Sequence, residues 1–135
     1  MTDGARTREL VEAARAVRER AHAPYSRFKV GAAVRSASGA IYPGCNVENA
    51  SYGATLCAER AALSAMVAGG EALAVAVAIY TESDEPAMPC GICRQVLFEL
   101  AADPKEALLV HVAGPNGTKD TTLGALLPEP FRFER

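Results

Sequence analysis

Residues 72–112 read ALAVAVAIY-TESDEPAM-PCGICRQVLFELA-ADPKE-ALLVHV, a strand–helix–strand pattern from which the fold class follows. Residues 72–80 alternate alanine with valine, which predicts a buried strand without bulky side chains. Pro89 opens a helix over about 91–101, closed before Pro104, because proline fits a helix entry and not its interior. Residues 107–112 form a further apolar run and predict a strand. A strand, a helix and a strand in succession form the unit that joins two parallel strands through a crossover.

Outward from this unit the pattern continues on both sides. Upstream, Leu10, Ala14, Val17 and Ala21 recur at helical spacing, which predicts a helix from about Asp3 to His22, ended by Pro24. Residues 28–35 and 41–47 read as strands, and the link Ser36-Ala37-Ser38-Gly39 is short enough to pair them as a hairpin. Residues 57–68 read as a helix stopped by Gly69-Gly70. Downstream, Asn116-Gly117 marks a tight turn, residues 118–122 return antiparallel, and residues 123–127 make a short helix. The order is α-β-β-α-β-α-β-β-α. It predicts an α/β protein, a three-layer α/β/α sandwich with a five-stranded mixed sheet, in a single domain over residues 1–135. Alanine supplies 27 of the 135 residues, so the layers are expected to approach closely.

Composition narrows the function classes. The chain has a mass of 14.2 kDa, a net charge of -2 and a pI near 5.7, which offers no basic footprint for a nucleic-acid backbone. No apolar run is long enough to span a membrane. The opening residues, MTDGARTREL, lack the apolar core of a secretory signal, so a cytoplasmic location is expected. In that compartment four cysteines are read as ligands or reactive thiols before disulfides.

Those cysteines are Cys45, Cys57, Cys90 and Cys93. Cys90 and Cys93 are three apart at a predicted helix start, so both sulfurs can face one ion, and Cys57 starts the other motif helix. Two helix N-termini meeting at one point favour thiolates. Three protein ligands leave the fourth position of tetrahedral zinc open for water, the catalytic pattern. Glu59 lies two residues past Cys57. In a continuous helix the two would point about 200° apart, so Cys57 must sit at the cap for both to face the metal. A carboxylate beside that water can take its proton and pass it on. Three thiolates on Zn²⁺ leave a local charge of -1, and Arg60 is the nearest cation in sequence to offset it. Taken alone, the residues leave other readings open. Cys90 and Cys93 fit a redox pair, and Cys45 as a fourth ligand fits a structural site, although it is more simply a buried small hydrophobe. His22 and His111 have no ligand spacing.

Cys57-Ala58-Glu59 followed by Pro89-Cys90-Gly91-Ile92-Cys93 resembles the signature of the zinc-dependent nucleoside and nucleobase deaminases. The closer resemblance is to the short, homotetrameric cytidine deaminases, and it spans nearly the whole chain. It is carried by residues 24–33 (PYSRFKVGAA), 46–50 (NVENA), the three-cysteine set, Arg94-Gln95 and residues 126–131 (LLPEPF).

The resemblance implies one Zn²⁺ per subunit, held by Cys57, Cys90 and Cys93, with Glu59 as the catalytic proton shuttle. It implies that Asn46 and Glu48 hydrogen-bond the ribose, chiefly its 3′-hydroxyl, and that Phe28 packs on the pyrimidine. It further implies that backbone groups near Ala58 help to hold the base, that Phe131 reaches the base in a neighbouring subunit, and that Arg60 hydrogen-bonds the cysteine sulfurs. By residue type alone, Phe28 fits a core position, Asn46 and Glu48 fit a strand's solvent face, and Phe131 fits a tail anchor. Tyr52 is open between the site and a subunit interface. The implied reaction is hydrolytic deamination of cytidine and 2′-deoxycytidine to the uridines plus ammonia, with no nucleic-acid or membrane partner. A blasticidin-S-type deaminase, a polynucleotide cytosine deaminase and a structural zinc protein are the alternatives.

Overall fold

The alternation of alanine with larger side chains along the central strands sorts the core into two unequal layers. In the computed structural model, which describes residues 2–133, the elements run in this order: α1 (Asp3–Arg18), β1 (Gly31–Ser36), β2 (Ile41–Cys45), α2 (Ala58–Ala68), β3 (Ala74–Tyr80), α3 (Gly91–Leu100), β4 (Leu109–Gly114), β5 (Gly117–Thr122) and α4 (Leu123–Leu126). Single 3-10 turns at Tyr52–Ala54 and Lys105–Ala107 join them. The strands form one sheet in the order β2-β1-β3-β4-β5.

Strand β1 is antiparallel to both β2 and β3, β3 and β4 are parallel, and β4 and β5 are antiparallel. The mixed five-stranded sheet is as expected. The parallel core is narrower than the sequence suggests: β3 and β4 are the adjacent parallel pair, because β1 lies between β2 and β3.

On one face Ala33, Ala76, Ala78 and Ala113 meet Leu10 and Ala14 of α1. On the other, Val34, Val77, Ile79, Val110 and Val112 meet Ala62, Leu63 and Met66 of α2 and Leu97 and Phe98 of α3. The alanine face brings α1 close: a Cβ on Gly31 would stand 1.9 Å from the Ala14 carbonyl oxygen. The same holds for α2 over the hairpin, where a Cβ on Gly44 would stand 2.3 Å from the Ala62 backbone nitrogen. Among the described residues, no helix is long and apolar enough to cross a membrane.

Several boundaries differ from the sequence reading, each for a local reason. Helix α1 ends at Arg18 and does not reach His22. His22 instead pairs with the segment after β2: its N–H donates to the Asn46 carbonyl at 3.0 Å, and its carbonyl accepts from Glu48 N–H at 2.8 Å. Strand β2 ends at Cys45, and Asn46 to Glu48 continue beyond it, held by bridges from Val47 to His22 and Leu56. The β4–β5 turn is Pro115-Asn116, one residue earlier than expected, with Gly117 at φ 128° already paired to Gly114.

Because the Gly44 contact is with helix backbone, it cannot be relieved by a side-chain rotation. Gly44→Ala is expected to push α2 off the hairpin and destabilise the fold by about 1–3 kcal/mol, as overpacking does. Thermal melting of the variant checks this, with a fall of several degrees as the expected result.

Candidate active site

The N-termini of α2 and α3 meet at one edge of the larger layer, and a cysteine caps each. Cys57 is the N-cap of α2 with extended backbone (φ -73°, ψ 153°), as the position of Glu59 required. Cys90 is the N-cap of α3, and its sulfur accepts from the Cys93 N–H at 3.5 Å. The sulfurs of Cys57, Cys90 and Cys93 all lie within 4.8 Å of one another. Cys57 and Cys90 are 3.9 Å apart, close to the roughly 3.8 Å edge of a tetrahedron with 2.3 Å zinc–sulfur bonds. Cys45 is not in this cluster among the described residues. The donor set therefore fits a zinc ion with three chain ligands. It does not fit a closed four-cysteine site, and a redox pair leaves Cys57 unexplained.

The electrostatics support the same fit. A hydrogen bond from Cys93 and the nearby Arg60 guanidinium lower Cys57 to about 5, against the opposing effect of burial. Cys93 is pushed up, first by its hydrogen bond to the Cys57 sulfur and then by burial. A divalent cation can replace the protons these sulfurs otherwise share. Arg60 Nη2 donates to Cys57 Sγ at 3.2 Å and to the Thr55 carbonyl at 3.3 Å. Its Nε is buried with no hydrogen-bond partner among the described residues. Glu59, on the first turn of α2, is 5% exposed. Burial pushes its carboxyl up, with the Cys57 sulfur adding to the effect and Arg60 opposing it.

The cluster opens onto a cavity of about 280 Å³ lined by Ser26, Phe28, Val30, Asn46, Glu48, Thr55, Cys57, Ala58, Glu59, Ile79, Ala87, Met88 and Cys90. It adjoins a second hollow of about 430 Å³ that also contains Tyr25, Asn49 and Tyr52 and shares Ser26, Glu48 and Thr55. Thus Phe28, Asn46, Glu48, Ala58 and Glu59 share one cavity with Cys57 and Cys90. Phe131 does not line it. It lies beside α3, 70% exposed, with its backbone held by the Gln95 side chain at 3.0 and 3.3 Å. Tyr52, at the mouth of the second hollow, is 82% exposed.

Asn46 and Glu48 are already partly engaged. Asn46 Oδ1 accepts from Val30 N–H and its Nδ2 donates to the Phe28 carbonyl, both at 2.9 Å, so the side chain continues the ladder beyond β2. One amide hydrogen of Asn46 is left over. Glu48 Oε1 accepts from the N–H groups of Tyr25 (3.0 Å) and Ser26 (3.1 Å), and Oε2 accepts from the Ser26 hydroxyl. The hydroxyl and then the Ser26 and Tyr25 amides hold the Glu48 carboxyl below its usual range. One acceptor site remains on Oε2. A free donor and a free acceptor in one cavity are the complement of a single hydroxyl group.

Sequence reasoning missed Ser26 and Thr55. Ser26 stands inside the PYSRFKVGAA stretch, which was a signal. Its role depends on a turn that spacing does not reveal.

Known proteins resemble this chain in both fold and sequence. The profile of the family described as "Cytidine and deoxycytidylate deaminase zinc-binding region" matches residues 5–107. A cytidine deaminase of Sporosarcina psychrophila is 39% identical over 126 residues, covering 93% of this chain and 91% of its own length. One from Halalkalibacterium halodurans is 42% identical over 125 residues, covering 93% of both chains. The crystal structure of a cytidine deaminase from Burkholderia pseudomallei superposes with a TM-score of 0.86 at 46% identity, covering 97% of this chain and 100% of the other. With an open three-cysteine cluster beside a buried glutamate and this match along its length, the chain belongs to the cytidine and deoxycytidylate deaminase family.

Proposed function

We propose that this protein hydrolyses the 4-amino group of cytidine and 2′-deoxycytidine, giving uridine and 2′-deoxyuridine plus ammonia. The observation that carries the reading is the buried Glu59 carboxyl, which lines one cavity together with Cys57 and Cys90 of the three-cysteine cluster and with Asn46 and Glu48. Cys57, Cys90 and Cys93 hold one Zn²⁺, which when bound supplies Lewis-acid activation of the attacking water.

The chain's own residues do the rest. The free donor of Asn46 and the free acceptor of Glu48 take a sugar hydroxyl, the 3′-hydroxyl in a nucleoside. Phe28 packs on the pyrimidine, and the backbone around Ala58 holds the base edge toward the sulfurs. Glu59 takes a proton from the attacking water and delivers it to ring N3. The water oxygen bonds to C4, which becomes tetrahedral. Glu59 then carries the second proton of that oxygen to the amino group. The C4–N4 bond breaks, ammonia leaves, and C4=O and N3–H remain. Burial suits Glu59 to this work, because a carboxyl raised toward neutrality both accepts and returns protons readily. Arg60 offsets the negative charge of three thiolates.

The working assembly in this proposal is a cytoplasmic homotetramer. Phe131 of one copy reaches the base in a neighbour's cavity. The outward Phe131, Tyr52 and Ile92 side chains support that reading.

A spectrophotometric assay of the zinc-loaded protein on cytidine, with blasticidin S and single-stranded DNA in parallel, tests the substrate class. Cytidine turnover is expected, and turnover of the oligonucleotide alone contradicts the proposal. Glu59→Gln is expected to keep about one zinc per chain and to lose at least about 100-fold in kcat, the usual scale of lost acid–base catalysis. Substantial turnover in that zinc-replete variant removes Glu59 from its role. For Arg60→Gln the sign follows from charge. Loss of the guanidinium raises the proton affinity of Glu59, so the carboxylate is lost at higher pH. The acidic limb of the pH–kcat profile is expected to move to higher pH as kcat falls, and an unchanged profile contradicts the compensating role.

A further inference from the structure

The turn that carries Ser26 links two residues that line the cavity, Glu48 and Phe28. Arg27, between Ser26 and Phe28, has φ +60°, a left-handed backbone that non-glycine residues adopt infrequently. That kink folds the chain so that Ser26 Oγ accepts from the Phe28 N–H at 3.0 Å. The same oxygen donates to Glu48 Oε2. The Ser26 N–H donates to Glu48 Oε1 at 3.1 Å, and the Arg27 N–H anchors the turn on the Ala23 carbonyl at 2.9 Å. One hydroxyl thus connects the carboxylate proposed to hold the sugar with the backbone of the aromatic residue proposed to pack on the base.

We infer that Ser26 is a positioning residue for nucleoside recognition: its hydroxyl fixes Glu48 and Phe28 relative to each other and leaves Glu48 a single acceptor for a sugar hydroxyl. This rests on the reading of Asn46 and Glu48 given above. A carboxylate has about four acceptor sites. The Tyr25 and Ser26 amides fill both on Oε1, and the Ser26 hydroxyl fills one on Oε2. Removing the hydroxyl leaves two acceptors on Oε2 and frees that oxygen to turn toward water. The carboxylate then loses both its aim and its selectivity for one donor. Phe28 loses the acceptor for its N–H at the same time, so the ring and the carboxylate are no longer set by one atom.

The test compares cytidine with 3′-deoxycytidine on the zinc-loaded enzyme in the unsubstituted protein, Ser26→Ala, Ser26→Thr, Glu48→Gln and the Ser26→Ala/Glu48→Gln pair. The unsubstituted enzyme is expected to prefer cytidine by at least about tenfold in kcat/KM, the scale of a hydrogen bond to a charged group. In Ser26→Ala the KM for cytidine is expected to rise about tenfold, more than kcat falls, and the preference is expected to shrink by a similar factor. Ser26→Thr, which keeps the hydroxyl, restores both. In the Glu48→Gln background, Ser26→Ala is expected to change the preference no further. If Ser26→Ala raises KM equally for both substrates and keeps the preference, Ser26 is merely structural and the inference fails. Where Ser26→Ala does not fold, a Ser26→Thr enzyme whose preference is lost also overturns it. An unsubstituted enzyme that does not distinguish the two substrates overturns the Asn46–Glu48 reading itself. That outcome is separate from failure of Ser26 alone, in which the preference is present and insensitive to Ser26.

Discussion

Thiolates repel one another, so three sulfurs within 4.8 Å can all be deprotonated only where positive charge offsets theirs. Here it comes from two helix N-termini, from the Arg60 guanidinium on Cys57, and from the metal for which the donor set is suited. Much of the architecture serves this convergence. Helix α2 must lie close over the hairpin, which Gly44 allows, and α3 must leave the sheet beside it. The valine-rich face of the sheet buries both helices. The alanine-rich face needs only α1, and its small side chains bring that helix near.

The same convergence explains why recognition and chemistry share one cavity. Glu59 follows Cys57 by two residues and faces the cavity because Cys57 stands outside helical geometry. In the same cavity, Asn46 and Glu48 are held less by a strand than by side-chain bonds of their own. Asn46 extends the ladder to Phe28 and Val30, and Glu48 caps the turn at Tyr25 and Ser26. After doing so Asn46 retains a donor hydrogen and Glu48 an acceptor position. The groups proposed to recognise a sugar are therefore rigid before any ligand arrives, which lowers the ordering cost of binding.

The legible part of this structure was local or covalently fixed in spacing. The i, i+3 pair Cys90–Cys93 and the offset of Glu59 from Cys57 each allow few geometries, and the caps lie where those offsets placed them. The Gly69-Gly70 stop was legible for the same reason: Gly69 caps α2, and Gly70 follows at φ 95°. What was not legible depended on partners distant in sequence. Helix α1 ends short of His22 because His22 pairs with Val47, a contact that helical periodicity does not encode. The position of β1 between β2 and β3 is likewise a matter of which edges meet. Ser26 was hidden because its role arises from the left-handed Arg27 and from a carboxylate 22 residues away.

An open metal centre with three sulfur ligands is visible to X-ray absorption at the zinc edge of the loaded protein. Three sulfur scatterers and one oxygen are expected at the zinc, unchanged in Cys45→Ser. Four sulfurs, or a coordination shell that changes when Cys45 is replaced, contradicts such a centre.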